Sequence, residues 1–115
     1  MSNSKSLSVI FFKSNTGTEP VREWLKTLSL EHKKAIGGSI RTVQIGWPLG
    51  MPLVRKMQPD LWEIRIYIPN GIARIFFTLD EKTMFLLHGF IKKSQLTPRK
   101  ELELAKDRLK QLKGI

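Results

Sequence analysis

The chain has 115 residues, 41% hydrophobic and 26% charged, and its 20 Lys+Arg against 10 Asp+Glu leave a formal net charge of +10. That size and composition fit one globular domain over residues 1–115 with one core, and exclude a disordered chain. The basic excess favours an anionic partner, nucleic acid first, through phosphate neutralisation; a basic surface kept for solubility, or one met by an acidic protein, is the other reading. With no cysteine there is no disulfide framework, thiolate nucleophile or thiolate metal site. Two histidines, His32 and His88, are too few for a zinc site built on several histidines.

No apolar run approaches the roughly 20 residues of a membrane helix. The stretch from Leu7 to Phe12 is too short for the apolar part of a signal peptide. The expectation is a soluble, cytoplasmic protein with no membrane contact, no metal and no cofactor.

Met1 to Ser6 is a polar start. Leu7 to Lys13 (LSVIFFK) is β-branched and aromatic, and predicts a strand. Ser14 to Thr18 is a loop of turn formers. Thr18 is the expected cap of a first helix, with Glu19 and Pro20 in its first turn. Val21, Trp24, Leu25 and Leu28 then recur at helical spacing. Ser29 caps a second helix whose buried line is Ile36, Ile40 and Val43. Gly37 and Gly38 inside it call for close packing or a kink. Gly46 and Pro48 end it. Two helices in a row predict a helical hairpin.

Trp47 to Pro52 is a connection, and Leu53 to Met57 is a short strand or a lead-in. Three strands follow from Leu61 to Lys93: LWEIRIYI, IARIFFTL and MFLLHGFIKK. Pro69-Asn70-Gly71 turns between the first two, since Asn-Gly accepts the positive φ that tight turns need, and Asp80 to Thr83 closes the second hairpin. Counting by twos, Trp62, Ile64, Ile66, Ala73, Ile75, Phe77, Phe85, Leu87, Gly89 and Ile91 form one apolar face, expected against the helical hairpin. The other face holds Arg65, Arg74, His88 and Lys92 with Tyr67, Phe76 and Phe90 between them, and is expected to be open. Thr97 caps a last helix with Pro98 first, its core line is Leu102, Ala105, Leu109 and Leu112, and Gly114 terminates it. The fold class is α+β: an N-terminal strand, a helical hairpin, an antiparallel sheet of about four strands and a C-terminal helix.

Paired carboxylates are not evident. Glu63 stands alone on the cationic face, where a cross-strand ion pair with Arg65 or Arg74 is its simplest role. There is no glycine-rich phosphate loop and no local Ser/His/Asp pattern. The chemistry left open is cleavage of RNA, which carries its own 2′-hydroxyl nucleophile. Such an enzyme aligns phosphate and nucleophile, offsets developing charge and moves two protons. Arginine suits the first two tasks as a planar donor fork, and lysine serves as a point charge or, with a depressed pKa, a proton carrier. Aromatic side chains stack on unpaired bases, or simply pack. His88 is either a satisfied strand histidine or part of the chemistry.

The order of elements, with LWEIRI, ARIFF and LLHGFIKK followed by a proline-started helix, resembles the HigB branch of the RelE/ParE toxin superfamily, which includes phage-derived proteins of type II toxin–antitoxin modules. The resemblance runs from about Leu7 to Leu112. It implies a RelE-like fold and a toxin that cuts mRNA in the ribosomal decoding site without a metal. It also implies a partner, a helix-turn-helix antitoxin similar to HigA. Carried over by motif, Arg74 in ARIFF is the phosphate-binding, charge-stabilising arginine, Arg65 in WEIR a second basic group, and Lys92 or its neighbour Lys93 the last-strand cation. His88 is typical of the family. Arg55, Lys56, Lys93 and Tyr67 are the expected RNA contacts. The C-terminal tyrosine of RelE-like enzymes and the His/Asp/Tyr/His set of some HigB members have no counterpart here, so the general acid and base stay unassigned. A non-catalytic basic module that binds RNA, ribosome or antitoxin, and a ParE-like gyrase inhibitor, are the alternatives.

Overall fold

The computed structural model describes residues 6–114; the polar start at residues 1–5 and Ile115 lie outside it. The elements are β1 (Ser8–Phe11), α1 (Pro20–Lys26), α2 (Leu30–Gly46), β2 (Val54–Gln58), β3 (Leu61–Ile68), β4 (Gly71–Asp80), β5 (Thr83–Lys92) and α3 (Arg99–Lys113). They build one five-stranded sheet in the order β1-β5-β4-β3-β2. The expected sheet of about four antiparallel strands is therefore corrected to five, of mixed direction. The 53–57 lead-in becomes an edge strand antiparallel to β3. β1 lies parallel to β5, a pairing no hairpin can make, and the two helices carry the chain from β1 to β2 at the opposite edge.

Ser29 caps α2 as its sequence suggests, its hydroxyl accepting from the His32 N–H at 3.2 Å. Two other caps differ from expectation. Glu19, not Thr18, precedes α1 and makes no side-chain cap bond. Thr18 is held in the preceding loop instead, its N–H donating to the Ser14 hydroxyl and its carbonyl accepting from the Ser14 N–H. Pro98, not Thr97, precedes α3, because the Thr97 hydroxyl is spent elsewhere. Gly114 ends α3 at φ 77°, and Asn70 takes φ 66° in the β3–β4 turn. At Gly37 and Gly38 no atom from outside the α2 backbone comes within 4 Å of a Cβ position, so close packing is not their reason.

The core is split by the sheet. On one side Ile64, Ile66, Ala73, Ile75 and Phe77 meet Val21, Ile36, Ile40 and Val43 of the helical hairpin. The closest fit is at Gly89, where a Cβ would lie 2.4 Å from the Trp24 ring. On the other side Phe12, Leu61, Phe76, Leu87 and Phe90 meet Ala105 and Leu109 of α3. This second core corrects the expectation of an open face: Phe76 and Phe90 are buried, not displayed for stacking.

Strand parity also fails once. Phe76 pairs with His88 but Phe77 pairs with Leu86, so Leu87 is an extra residue in β5. Such a bulge reverses the alternation beyond it. Leu86 consequently joins the helical-hairpin core and Leu87 the α3 core.

Candidate functional site: a buried arginine pair under a surface strap

Antiparallel pairing sets Arg65 and Arg74 directly opposite each other on β3 and β4. Like charges so placed repel. Two residues before Arg65, on the same face, Glu63 stands between the two guanidiniums. Its Oε1 is 3.7 Å from Arg65 Nε and its Oε2 is 3.9 Å from Arg74 Nε. Glu63 and Arg74 are wholly buried, and the Arg65 side chain is 10% exposed. The ion pair read from sequence thus forms with both arginines at once. These contacts are longer than hydrogen bonds, so attraction is Coulombic and the N–H groups need other acceptors.

The segment between β5 and α3 supplies some of them. Arg65 Nη2 donates to the Gln95 carbonyl at 2.6 Å, and Arg74 Nη2 donates to the Ser94 carbonyl. The Thr97 hydroxyl donates to Glu63 Oε2 at 2.7 Å. Residues 94–97 therefore form a strap across the charged cluster. Arg74 also sits over the Phe90 ring, 5.6 Å from its centroid. Burial lowers the Arg74 pKa below the ordinary arginine value while Glu63 opposes the shift; a guanidinium begins so high that it stays charged. Among the described residues, Arg65 Nε, Arg74 Nε and Arg74 Nη1 are buried with no hydrogen-bond acceptor, and Glu63 Oε1 with no donor. Unmade bonds on buried charged donors are costly and uncommon in folded proteins.

His88 belongs to a neighbouring cluster, separated from Arg74 by the Phe90 ring. Its ring stacks with Phe76 and Phe90 at centroid distances of 6.2 and 5.7 Å. Nε2 lies 2.6 Å from Glu101 Oε1, and Arg108 Nη1 lies 3.1 Å from Nδ1 while also donating to the Leu87 carbonyl. Because an arginine only donates, Nδ1 must carry the lone pair and Nε2 the proton. Burial pushes the His88 pKa below its ordinary value, with Glu101 opposing and Arg108 assisting. His88 is thus a neutral link that fixes α3 on the sheet.

The remaining expected residues lie on the surface, but not together. Arg55 pairs with Glu63, Tyr67 follows Arg65 by two, and Lys92 pairs with Ile72, so all three share the face of the arginine pair. Arg55, Lys92 and Tyr67 are exposed. Arg65 and Tyr67 also border a groove of about 290 Å³ with Ser39, Pro52, Leu53 and Ile66. Lys93 is exposed just past β5. Lys56 is on the other side, its Nζ 5.8 Å from the Trp62 ring centroid.

Sequence reading missed Ser94 and Gln95 as partners of the arginines, Thr97 as a partner of Glu63, and Glu101 and Arg108 as partners of His88. The last two were findable. Glu101, Ala105 and Arg108 recur at i, i+4 and i+7, which puts two charges on the buried stripe of α3. The two arginine bonds to the strap run from side chain to main chain, and nothing in residue type announces them.

The family model described as Phage derived protein Gp49-like (DUF891) matches residues 23–110, from within α1 to near the end of α3. The chain belongs to this family. It is a RelE/HigB-like toxin family of toxin–antitoxin systems, and membership implies an antitoxin as partner. No curated protein matches the chain significantly. In this Gp49-like protein the observed α+β order of strand, two helices, strands and final helix is roughly that of a RelE-like fold. Among the described residues no helix is long and apolar enough to cross a membrane.

Proposed function

We propose that this Gp49-like protein is the toxin of a type II module, one domain over residues 1–115 of HigB type, which cuts ribosome-bound mRNA without a metal. The observation that carries the reading is the arginine pair itself. Two guanidiniums are preorganised on one carboxylate, and among the described residues three of their nitrogens lack a hydrogen-bond acceptor. A phosphodiester offers the oxygens they lack, in the geometry a guanidinium fork prefers.

In this reading the RNA 2′-hydroxyl gives up its proton, which passes by way of Lys92 or solvent to the leaving oxygen, and attacks the adjacent phosphorus, and the bond to the 5′-oxygen breaks. A 2′,3′-cyclic phosphate forms, and the leaving 5′-hydroxyl takes up a proton. Arg74 and Arg65 hold the phosphate oxygens and offset the charge they gain. Lys92, exposed on the same face, assists as a charge or proton carrier. Arg55, Lys93 and Tyr67 line the approach, and Lys56 meets RNA only where it wraps past β2. His88 takes part in proton transfer only if α3 departs; otherwise it positions α3. The antitoxin is a helix-turn-helix protein similar to HigA.

A second reading has its own support. The arginines are covered by the strap and His88 is neutral and held, which suits a basic module that binds RNA, ribosome or antitoxin without chemistry. Expression of the wild type and of Arg74→Ala, with transcriptome-wide mapping of mRNA 5′ ends, separates the two. The nuclease reading expects growth arrest with new, codon-phased ends that vanish in Arg74→Ala. Arrest without new ends favours the binding module. A change in plasmid supercoiling instead favours a gyrase inhibitor of ParE type.

A further inference from the structure

We propose that the strap is an internal occupant of the arginine site. The carbonyl oxygens of Ser94 and Gln95 stand where two phosphate oxygens of an incoming RNA bind, and the Thr97–Glu63 hydrogen bond latches the strap shut. The inference rests on the reading of Arg65 and Arg74 as phosphate binders and adds a device that closes their site.

Three observations support it. First, the two Nη2 groups go to consecutive carbonyls of one segment, which imitates two oxygens presented side by side. Second, the charges do not balance in the closed form: two arginines face one carboxylate, leaving one positive charge. Neutral carbonyls cannot offset it, whereas a phosphodiester brings one negative charge and an acceptor for Arg74 Nη1. Exchange of strap for phosphate thereby relieves both deficits. Third, little else holds the strap. Ser94, Gln95 and Leu96 are exposed, Leu96 at 78%. Within the strap the bond that stands out is Leu96 N–H to the Ser94 hydroxyl at 3.1 Å. The segment has no helix or strand of its own and is bounded by the end of β5 and the start of α3.

A site that must first open binds with an apparent affinity reduced by its open fraction. Weakening the latch raises that fraction until the open form dominates. Thr97→Val keeps the shape of the side chain and removes the donor to Glu63. Thr97→Ser keeps the donor.

The test uses the full-length protein and ribosomes carrying an mRNA with 2′-O-methyl groups at the decoding site, so that binding is read without cleavage. Phenylglyoxal labelling of Arg65 and Arg74 and amide exchange over residues 94–97 report strap opening. We expect slow labelling in the wild type and in Thr97→Ser. Thr97→Val should label about tenfold faster and bind the programmed ribosome tighter by a similar factor. In the wild type, ribosome binding should speed exchange at residues 94–97 while Arg74 stays protected.

Wild-type binding with unchanged exchange at 94–97, together with lost binding in Arg74→Ala, overturns the strap and leaves the phosphate reading standing. Opening in Thr97→Val with no gain in binding, and no effect of Arg74→Ala, overturns both. Should Thr97→Val fail to fold, the wild-type exchange measurement decides by itself.

Discussion

The two faces of the sheet solve the same burial problem in different ways. The face under the helical hairpin is apolar throughout, from Trp62 and Phe77 at one end to Ile66 and Ala73 near the other. The face under α3 is apolar only in part. Phe76, Leu87 and Phe90 rest on Ala105 and Leu109, while Glu63, Arg65 and Arg74 lie beyond the helix, beneath the strap. The first face gains from every methylene it buries. The second keeps charges out of water, where the desolvation cost can exceed the attraction between them. A region that forgoes stability in this way is a strong candidate for function.

The largest expected effects contrast the faces directly. Phe77→Ala should cost about 3–5 kcal/mol of stability from lost burial and a cavity. Glu63→Ala should cost a similar amount for another reason, since it strands two buried arginines. The double change Glu63→Met, Arg74→Met should recover much of that loss, because a buried ion pair replaced by apolar groups is often neutral or stabilising. No second substitution of that kind rescues Phe77→Ala. Urea denaturation of the wild type and these three variants makes the comparison; a double variant no more stable than Glu63→Ala would show that the charged cluster packs like ordinary core.

Gly89→Ala probes the tight side alone. A Cβ at 2.4 Å from Trp24 and 3.0 Å from Ile75 forces the ring away, at a cost of about 1–3 kcal/mol. The expected sign is a lower thermal midpoint with the arginine-side labelling unchanged.

His88 makes the α3 side sensitive to acid. Its folded pKa lies below its unfolded value, so the unfolded chain binds the proton first. Its contribution is full above the unfolded pKa of about 6.5 and is lost as pH falls through the folded pKa, at no more than about 1.4 kcal/mol per pH unit. Chemical denaturation across this range should show the slope in the wild type and a shallower one in His88→Asn.

The smallest effects on stability belong to the exposed cations. Lys92→Ala and Arg55→Ala should change stability by less than about 0.5 kcal/mol. If they contact phosphate, each should reduce the steepness of the salt dependence of ribosome binding by just under about 1. A salt dependence identical to the wild type would remove them from the RNA path.

Much of the architecture is legible in local pattern. Helical spacing marks Ile36, Ile40 and Val43 as the inner line of α2 and Ala105 and Leu109 as that of α3. Alternation marks the hairpin-facing side of β3 and β4, and Asn70 marks their turn. The arginines are legible as a pair because β3 and β4 run through a tight turn with unbroken alternation. What escaped is relational. The extra residue at Leu87 depends on how β5 registers against β4, and a two-residue period in one strand carries no record of its partner. The apolar line of α3 says that the helix has an inner side, without saying which face it covers.

By itself the sequence determined the three helices, the β3–β4 hairpin and its apolar face, the basic charge and the residue types able to hold a phosphate, since each follows from periods and charges within one segment. Only the tertiary structure decided that α3 closes the other face, that Glu63 bridges both arginines and that the carbonyls of Ser94 and Gln95 occupy their forks. The carbonyl contacts join residues 30 and 20 positions apart, and backbone carbonyls, which every residue carries alike, leave no mark in an amino-acid sequence.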